Sequence, residues 1–561
     1  MENNTVFEAD ANIDEEIRSR SRPISTHRGR SRRGHKVTTT VLGGVDANEG
    51  TEEAPLLSRD PRDDDSSSSN STDSLDNLPW WKKPSVFWLL PSFALTTLAF
   101  GGLVVPRINL ILTLICRQRL QERAINDPGF QFNAIILGGD NPQCNTPEIQ
   151  SLVAKFTLYG NLIGGILSAV TSPKFGALSD RYGRTKLLGI TTSGLIMSEV
   201  ITIMVATNPE VVSYQWLLLG FALDGLSGSF AASMAITHSY ATDCTPPERR
   251  NVVFGWFHGC LFSGIAFGPV LAGYIVEATG SLVKVFYVAL GCHLLFVISV
   301  VFIIPDSLSR SRQMAAREKH RLKTVRGLRT DQTWADKLQI TNLFVPLRVL
   351  YPTGEGSSRA VRRNLVALAA VDTTMFGVAM GSMTVVVIYA EYMFGWSNFD
   401  SSVFLSVVNI CRVCNLILVL PLVTRFIRGR TTGNQRSSGM DKLDLGIIRV
   451  AIIFDTLGYI GFSTVRSGKL MILSGCLASI GGMGSPTLQS SLTKHVPPDQ
   501  TGQLLGAIGL LHALARVVAP TIFNLIYSVT VGKFSQAVFV CLASTFGGAF
   551  ILTGFIRPYG K

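Results

Sequence analysis

The chain has 561 residues, of which 47% are hydrophobic and only 16% charged, with a formal net charge of +12. Soluble domains carry roughly a quarter charged residues, so this composition excludes a soluble enzyme or regulator and points to a membrane protein. Nucleic acid is not an expected partner either, because the basic residues fall in connections between apolar spans rather than on one face.

Residues 1–83 contain no apolar run and no hydrophobic signal-peptide core. A basic patch (Arg18 to Lys36) and an acidic, serine-rich patch (Arg59 to Asp76) bury too little surface to fold, and a disordered cytoplasmic tail is expected. Within it, Glu52, Leu56 and Leu57 fit an acidic dileucine sorting pattern. That pattern predicts binding to a sorting adaptor and delivery to a vacuolar membrane; without it the plasma membrane is expected. Trp80, Trp81, Lys82 and Lys83 are aromatics and lysines of the kind that sit at the interface before a first span.

Twelve apolar spans follow, each long enough for about 30 Å of hydrocarbon. They fall near 86–115, 150–172, 187–207, 214–240, 252–276 and 283–304, then 364–390, 401–424, 446–465, 469–491, 502–527 and 535–556. Pro106 is expected to kink the first. Lys and Arg crowd the even-numbered connections, so both termini are expected in the cytoplasm. The long basic connection, 306–363, divides an N-terminal half (84–305) from a C-terminal half (364–561), as in two pseudo-symmetric bundles joined by a linker. The nine cysteines show no metal spacing. Cys411 and Cys414, inside span eight, are expected to be packing residues, while Cys144 lies in a connection from which a disulfide to Cys116 is conceivable.

Between spans two and three the chain reads Gly176-Ala-Leu-Ser-Asp180-Arg181-Tyr-Gly183-Arg184-Thr-Lys186. This is expected to be a short surface loop, turned by Gly176 and Gly183, in which the acid among cations has a fixed partner. The pattern G-x-L-x-D-R-x-G-R-x-K resembles the signature loop between helices 2 and 3 of the major facilitator superfamily. The resemblance implies an all-α membrane protein with twelve transmembrane helices in two pseudo-symmetric six-helix bundles. It also implies a monomer that moves a small molecule across the bilayer by alternating access. In such a gate Asp180 is expected at the N-terminus of span eleven near Thr501 and Gly502. Asp243 is expected against Arg184, with Arg181, Glu248 and Arg249 beside them. The second half echoes the loop weakly at Thr424 to Arg430, without an Asp, so a lock on one half alone is expected.

Span five carries Gly255, Gly264, Gly268, Pro269 and Gly273, small residues at spacings that let helices approach closely. The spacing is similar to the fifth-helix motif of proton-driven drug exporters, which implies efflux by antiport. Span four departs from that group: Asp224 stands where those proteins carry an arginine. Spans one, four, seven and ten line the cavity in this fold, which promotes Arg107, Asp224 and Asp372, with Arg412 and Arg516 next. Asp224 is expected either to carry the proton or to pair with Arg107 or Arg516, and Asp372 is the fallback proton carrier. Arg107 and Arg412 together would suit an organic anion. His293 is expected to face lipid or packing neighbours. Alternatives to export are a proton-coupled importer, similar to folate-type carriers, and a non-transporting sensor. No nucleotide loop, paired catalytic acids, metal cluster or nucleophile motif is visible, so neither catalysis nor a cofactor is expected and the proton gradient is the energy source.

Overall fold

A computed structural model describes residues 79–127, 133, 135, 142–144, 146–328, 344–353, 358–396, 398–428 and 439–558. Glu52, Leu56 and Leu57 lie outside the described residues. Among the described residues eleven helical segments are long and apolar enough to cross a bilayer, and the seventeen-residue helix Ala537–Thr553 forms the twelfth span. The spans pack as two six-helix bundles.

Span one is Val86–Gly102 followed by Val104–Asn126, span two Pro147–Tyr182, span three Arg184–Thr207. Span four is Trp216–Leu226 and Ser229–Cys244, span five Arg250–Thr279, span six Val283–Ile298. Span seven is Arg359–Phe394; span eight is Asn398–Cys414 and Leu420–Arg428, joined by a π-helical turn. Span nine is Lys442–Thr464, span ten Gly468–Ser479 and Gly484–Thr493, span eleven Thr501–Thr530.

Packing without a hydrophobic drive in lipid relies on close backbone approach, and glycines supply it. In span five Gly264 lies on the Thr97 carbonyl and Gly268 on the backbone of Gly101 and Gly102, so a Cβ at either would collide with span one. Thr97 Oγ1 donates to the Cys260 carbonyl at 3.0 Å across the same contact. Gly255 and Gly259 instead meet Leu416, Ile417 and Leu420 of span eight, in the other half. A Cβ at Gly273 would meet nothing within 4 Å, so this glycine takes no part in the close packing expected of it.

Besides the π-helical turn in span eight, three spans are interrupted among the described residues. Span one breaks at Leu103, three residues before Pro106; the proline then occupies the first turn of the next segment, where its missing N–H is harmless. Span four breaks at Ser227 and Gly228, and span ten at the turn Ile480–Met483, which contains Gly481 and Gly482. Spans four and ten hold equivalent places in the two halves, and paired interruptions of this kind mark binding sites in transporters. At the far end of the bundle from Gly183, a Cys116–Cys144 disulfide ties span one to the connection before span two. Cys411 lies 3.7 Å from Cys476 rather than against Cys414, which is exposed.

Candidate functional site: two latches and a central cavity

The stretch from Gly176 to Lys186 is not a loop. Span two stays helical through Tyr182 and span three begins at Arg184, so Gly183 is the whole connection. Its φ of 102° favours glycine, and a Cβ there would collide with the Asp306 carboxylate. Gly176 is helical and turns nothing. It is small because the Gly502 carbonyl of span eleven lies against it, and Gly506 packs on the same surface.

That close crossing places Asp180 at the start of span eleven. Its carboxylate accepts from the Gly502 and Gln503 N–H groups at 3.1 and 3.0 Å, satisfying two donors that a helix start leaves unpaired. Arg184 is fully buried, with Nη1 2.7 Å from Asp180 and Nε 3.0 Å from Asp243. Asp306 belongs to no motif in the sequence. It accepts from the Arg184 N–H at 3.0 Å and the Leu308 N–H at 3.1 Å, and so caps span three. Burial holds its carboxyl above the ordinary range. The neighbouring Ser307 hydroxyl donates to Asp243 at 3.0 Å. Two acids thus grip the buried guanidinium of Arg184, and a third holds its backbone N–H. The only sequence signal for the third is an acid opening the linker at Pro305-Asp306-Ser307, directly after a span.

Arg181 contributes its backbone: its carbonyl accepts from Arg317 Nε at 2.9 Å. Arg317 belongs to the linker helix Arg310–Leu328 and also covers the Tyr182 ring at 4.8 Å. Two residues on, Lys319 pairs with Asp499 at 2.7 Å, before span eleven, so the linker helix touches both halves.

The second half has a latch of its own, in place of the weak echo at Thr424 to Arg430. Asp444, at the start of span nine, is buried and forms an ion pair with Lys494, at the exit of span ten. These positions match Arg184 and Asp243 with the signs exchanged: the first half has the cation on its third span, the second half the anion. The cross-half contact is repeated too. Asn251, at the start of span five, reaches Asp444 at 3.5 Å and Thr424 at 3.4 Å. Arg250 donates to the carbonyls of Thr245 and Thr242 at 3.2 and 3.3 Å and to Thr493 at 3.4 Å. Glu248 and Arg249 form no ion pair among the described residues. Contacts to the other half at this corner are made by Arg250 and Asn251.

His495 beside this latch is buried in a fixed tautomer. Its Nδ1–H donates to the Ser491 carbonyl at 2.8 Å, and its Nε2 accepts from the Asn364 amide at 3.4 Å. Burial pushes its pKa down from 6.5 to about 4. A folded-state pKa below the unfolded one means stability present above pH 6.5 and lost as pH falls towards 4, by about 3 kcal/mol for this residue. His495→Gln is therefore expected to flatten the acid limb of the thermal-unfolding profile between pH 6.5 and 4. Parallel wild-type and variant profiles would remove His495 as its source.

A cavity of about 360 Å³ lies between the halves. Arg107 (span one), Asp224 (span four) and Arg516 (span eleven) line it, as do His238, His258, His293 and His512. Asp224 sits at the break in span four. Gly228 there has a φ of 89° and Ser229 a φ of 54°, a conformation that costs a non-glycine residue about 1–3 kcal/mol and clusters at functional sites. The Ser229 hydroxyl donates to Asp224 Oδ2 at 2.8 Å. No ion pair joins Asp224 to Arg107 or Arg516 among the described residues, so the expected salt bridge is absent. Its physical reason is the break itself, which turns Ser229 onto the carboxylate.

Three further expectations change. Asp372 is fully buried behind His512, whose Nε2 lies 2.8 Å away; the imidazole, stacked on Phe376, faces the cavity in its place. Arg412 is not in the lining: it packs over Phe262 at 4.7 Å and against Gly482, near Asp455 and Gly481. Span eight packs directly on span five, whose Phe262 takes the Arg412 guanidinium. His293 is fully buried rather than turned to lipid, and its packing neighbour is an acid. It lines the cavity and pairs at 2.9 Å with buried Glu199 of span three.

A cavity enclosed by two six-helix halves and latched at one end defines a membrane carrier. The chain belongs to the Major Facilitator Superfamily: residues 149–520 match that family's profile. It is 31% identical over 507 residues to the MFS-type transporter avaJ of Aspergillus versicolor, covering 89% of this chain and 93% of that protein. The class C tetracycline resistance protein of Escherichia coli is 27% identical, covering 69% and 84%. The rat proton-coupled folate transporter is 22% identical, covering 68% and 74%. Among solved structures, the human organic anion transporter MFSD10 superposes with a TM-score of 0.60 at 17% identity, covering 83% of this chain and 98% of that one.

Proposed function

We propose that the protein is a monomeric, proton-driven secondary transporter that exports a small organic molecule by antiport. The observation that carries this reading is the pair of sign-exchanged latches. Each joins a charged cluster in one half to the start of a span in the other, and both lie at the Gly183 end of the cavity. A receptor with fixed halves has no use for contacts that must break when the halves rock. Asp224 takes the proton: it is the carboxylate that faces the cavity among the described residues. The span-five glycines and the tetracycline-resistance relatives favour export.

The Gly183 end and both termini face the cytoplasm in this reading. Support comes from the Lys/Arg asymmetry of the connections and from the disulfide at the opposite end, since disulfides persist in oxidising compartments. Tags at residues 60 and 320 are then protected from protease in intact cells, while one at 135 is cut; the reverse pattern discards the topology. The Glu52, Leu56 and Leu57 pattern favours a vacuolar membrane and a sorting adaptor, with the plasma membrane reached when both leucines are replaced by alanine.

The decisive experiment is flux in proteoliposomes with and without an imposed pH gradient. Flux of candidate substrates opposite to the proton gradient supports antiport, and flux along it supports import by symport. Asp224→Asn is expected to abolish gradient-driven accumulation while leaving exchange of labelled for unlabelled substrate. Undiminished accumulation by a well-expressed variant discards Asp224 as the proton carrier.

A further inference from the structure

We infer that the central cavity recognises a flat aromatic organic anion, held by a guanidinium from each half. This rests on the transporter reading above and adds the class of substrate. The charged groups that face the cavity are Arg107, Arg516 and Asp224. Asp224 already accepts from Ser229 and forms no ion pair with either arginine among the described residues. Arg107 lines the cavity, and its guanidinium makes no hydrogen bond or ion pair among the described residues. A buried charged donor without a partner is costly, and an anionic ligand is what satisfies it.

Two other acids lie close by, Glu199 and Asp372. Each is fully buried behind an imidazole, His293 or His512, that meets it within hydrogen-bond distance. Neither carboxylate is in the cavity lining, so a ligand meets two guanidinium groups and one carboxylate that is already engaged. Planar bidentate donors of this kind match a carboxylate or sulfonate better than a neutral group.

The body of the ligand follows from the aromatic walls. Arg107 lies over the Phe221 ring at 5.7 Å, and Phe100 stacks on Phe230 with ring centroids 5.0 Å apart. In the other half, Phe376 stacks on His512 at 4.1 Å. These flat faces favour an aromatic body beside the charge. Since Arg107 is in the first half and Arg516 in the second, an anion that engages both ties the halves together, and its loss lets them part.

The test is calorimetric binding to the purified full-length protein, with three probes of one shape: 2-naphthoate, 2-naphthamide and 2-naphthylmethylammonium. Naphthoate is expected to bind at least tenfold more tightly than either analogue. Arg107→Gln and Arg516→Gln are each expected to weaken naphthoate at least tenfold and leave the amide unchanged, while Arg107→Lys retains part of the affinity and controls for folding. Equal or tighter binding of the ammonium, no naphthoate binding by the folded protein, or indifference to both glutamine variants overturns the inference. Proteoliposome flux separates the two readings. Naphthoate that binds but is never transported counts against the carrier function alone, and a transported ammonium compound counts against the anion site alone.

Discussion

Arg184→Ala is expected to remove nearly all transport and to lower stability by about 3–5 kcal/mol, the usual cost of breaking a buried ion pair from one side. Arg184 is fully buried, and its loss leaves Asp180 and Asp243 without their shared cation, beside Asp306. Asp180 also holds the start of span eleven through two N–H groups, so the loss shifts the balance between open and closed states as well. A coupling of about 1–3 kcal/mol is enough to trap a two-state carrier. Asp243→Asn added to Arg184→Ala is expected to cost little further, because neither partner is then stranded. The readouts are thermal unfolding of the purified protein and thiol labelling of a cysteine placed at the Gly183 end. Wild-type melting together with unchanged labelling would show that the cluster neither stabilises nor gates, and fully additive double-mutant losses would contradict direct contact between Arg184 and Asp243.

Lys494→Ala is the matching experiment in the second half, with an expected loss of about 3–5 kcal/mol and increased labelling at the Gly183 end. Asp444 would then be a buried carboxylate deprived of its ammonium. Removing both charges, as Asp444→Asn with Lys494→Met, is expected to restore much of the stability, since an apolar or neutral replacement of a buried pair is often tolerated. Transport is expected to stay impaired in that double variant, because Asn251 of span five loses the charged acceptor that ties it to the other half. Full transport by a stable double variant would reduce this latch to packing. Reversing the pair, Asp444→Lys with Lys494→Asp, keeps the ion pair but presents a cation to Asn251, and is expected to separate stability from gating.

The twelve spans were legible because their signal is local: an apolar run of the right length declares itself residue by residue. So was the signature at Gly176 to Lys186, whose glycines and charges stand within one short window. What that window did inside the fold was not legible. Gly176 reads as a turn residue, yet it is helical and small because Gly502, far along the chain, lies against it. Asp306 carries only the faint signal of an acid opening the linker, because it caps span three from 122 residues away and nothing in its own neighbourhood announces the partner.

The cavity divides in the same way. Arg107, Asp224 and Arg516 could be named from sequence because ionisable residues inside apolar spans are rare and stand out. Which of them share a space depends on helix rotation and neighbour order, which a one-dimensional pattern does not contain. Arg412 and Asp372 carried the same signal and proved to face elsewhere. The second latch is the clearest case. A search for a repeated Asp-Arg motif fails there, because pseudo-symmetry has preserved the positions and exchanged the charges. Asp444 and Lys494 lie 50 residues apart in the chain, and Asn251 lies 193 from Asp444. Composition and spacing therefore settle that this chain spans a membrane twelve times and where its charges fall along it. Which charges meet was settled by the close crossing of glycine-bearing helices, because an ion pair depends on a few ångströms of separation and the order of residues along a chain does not encode them.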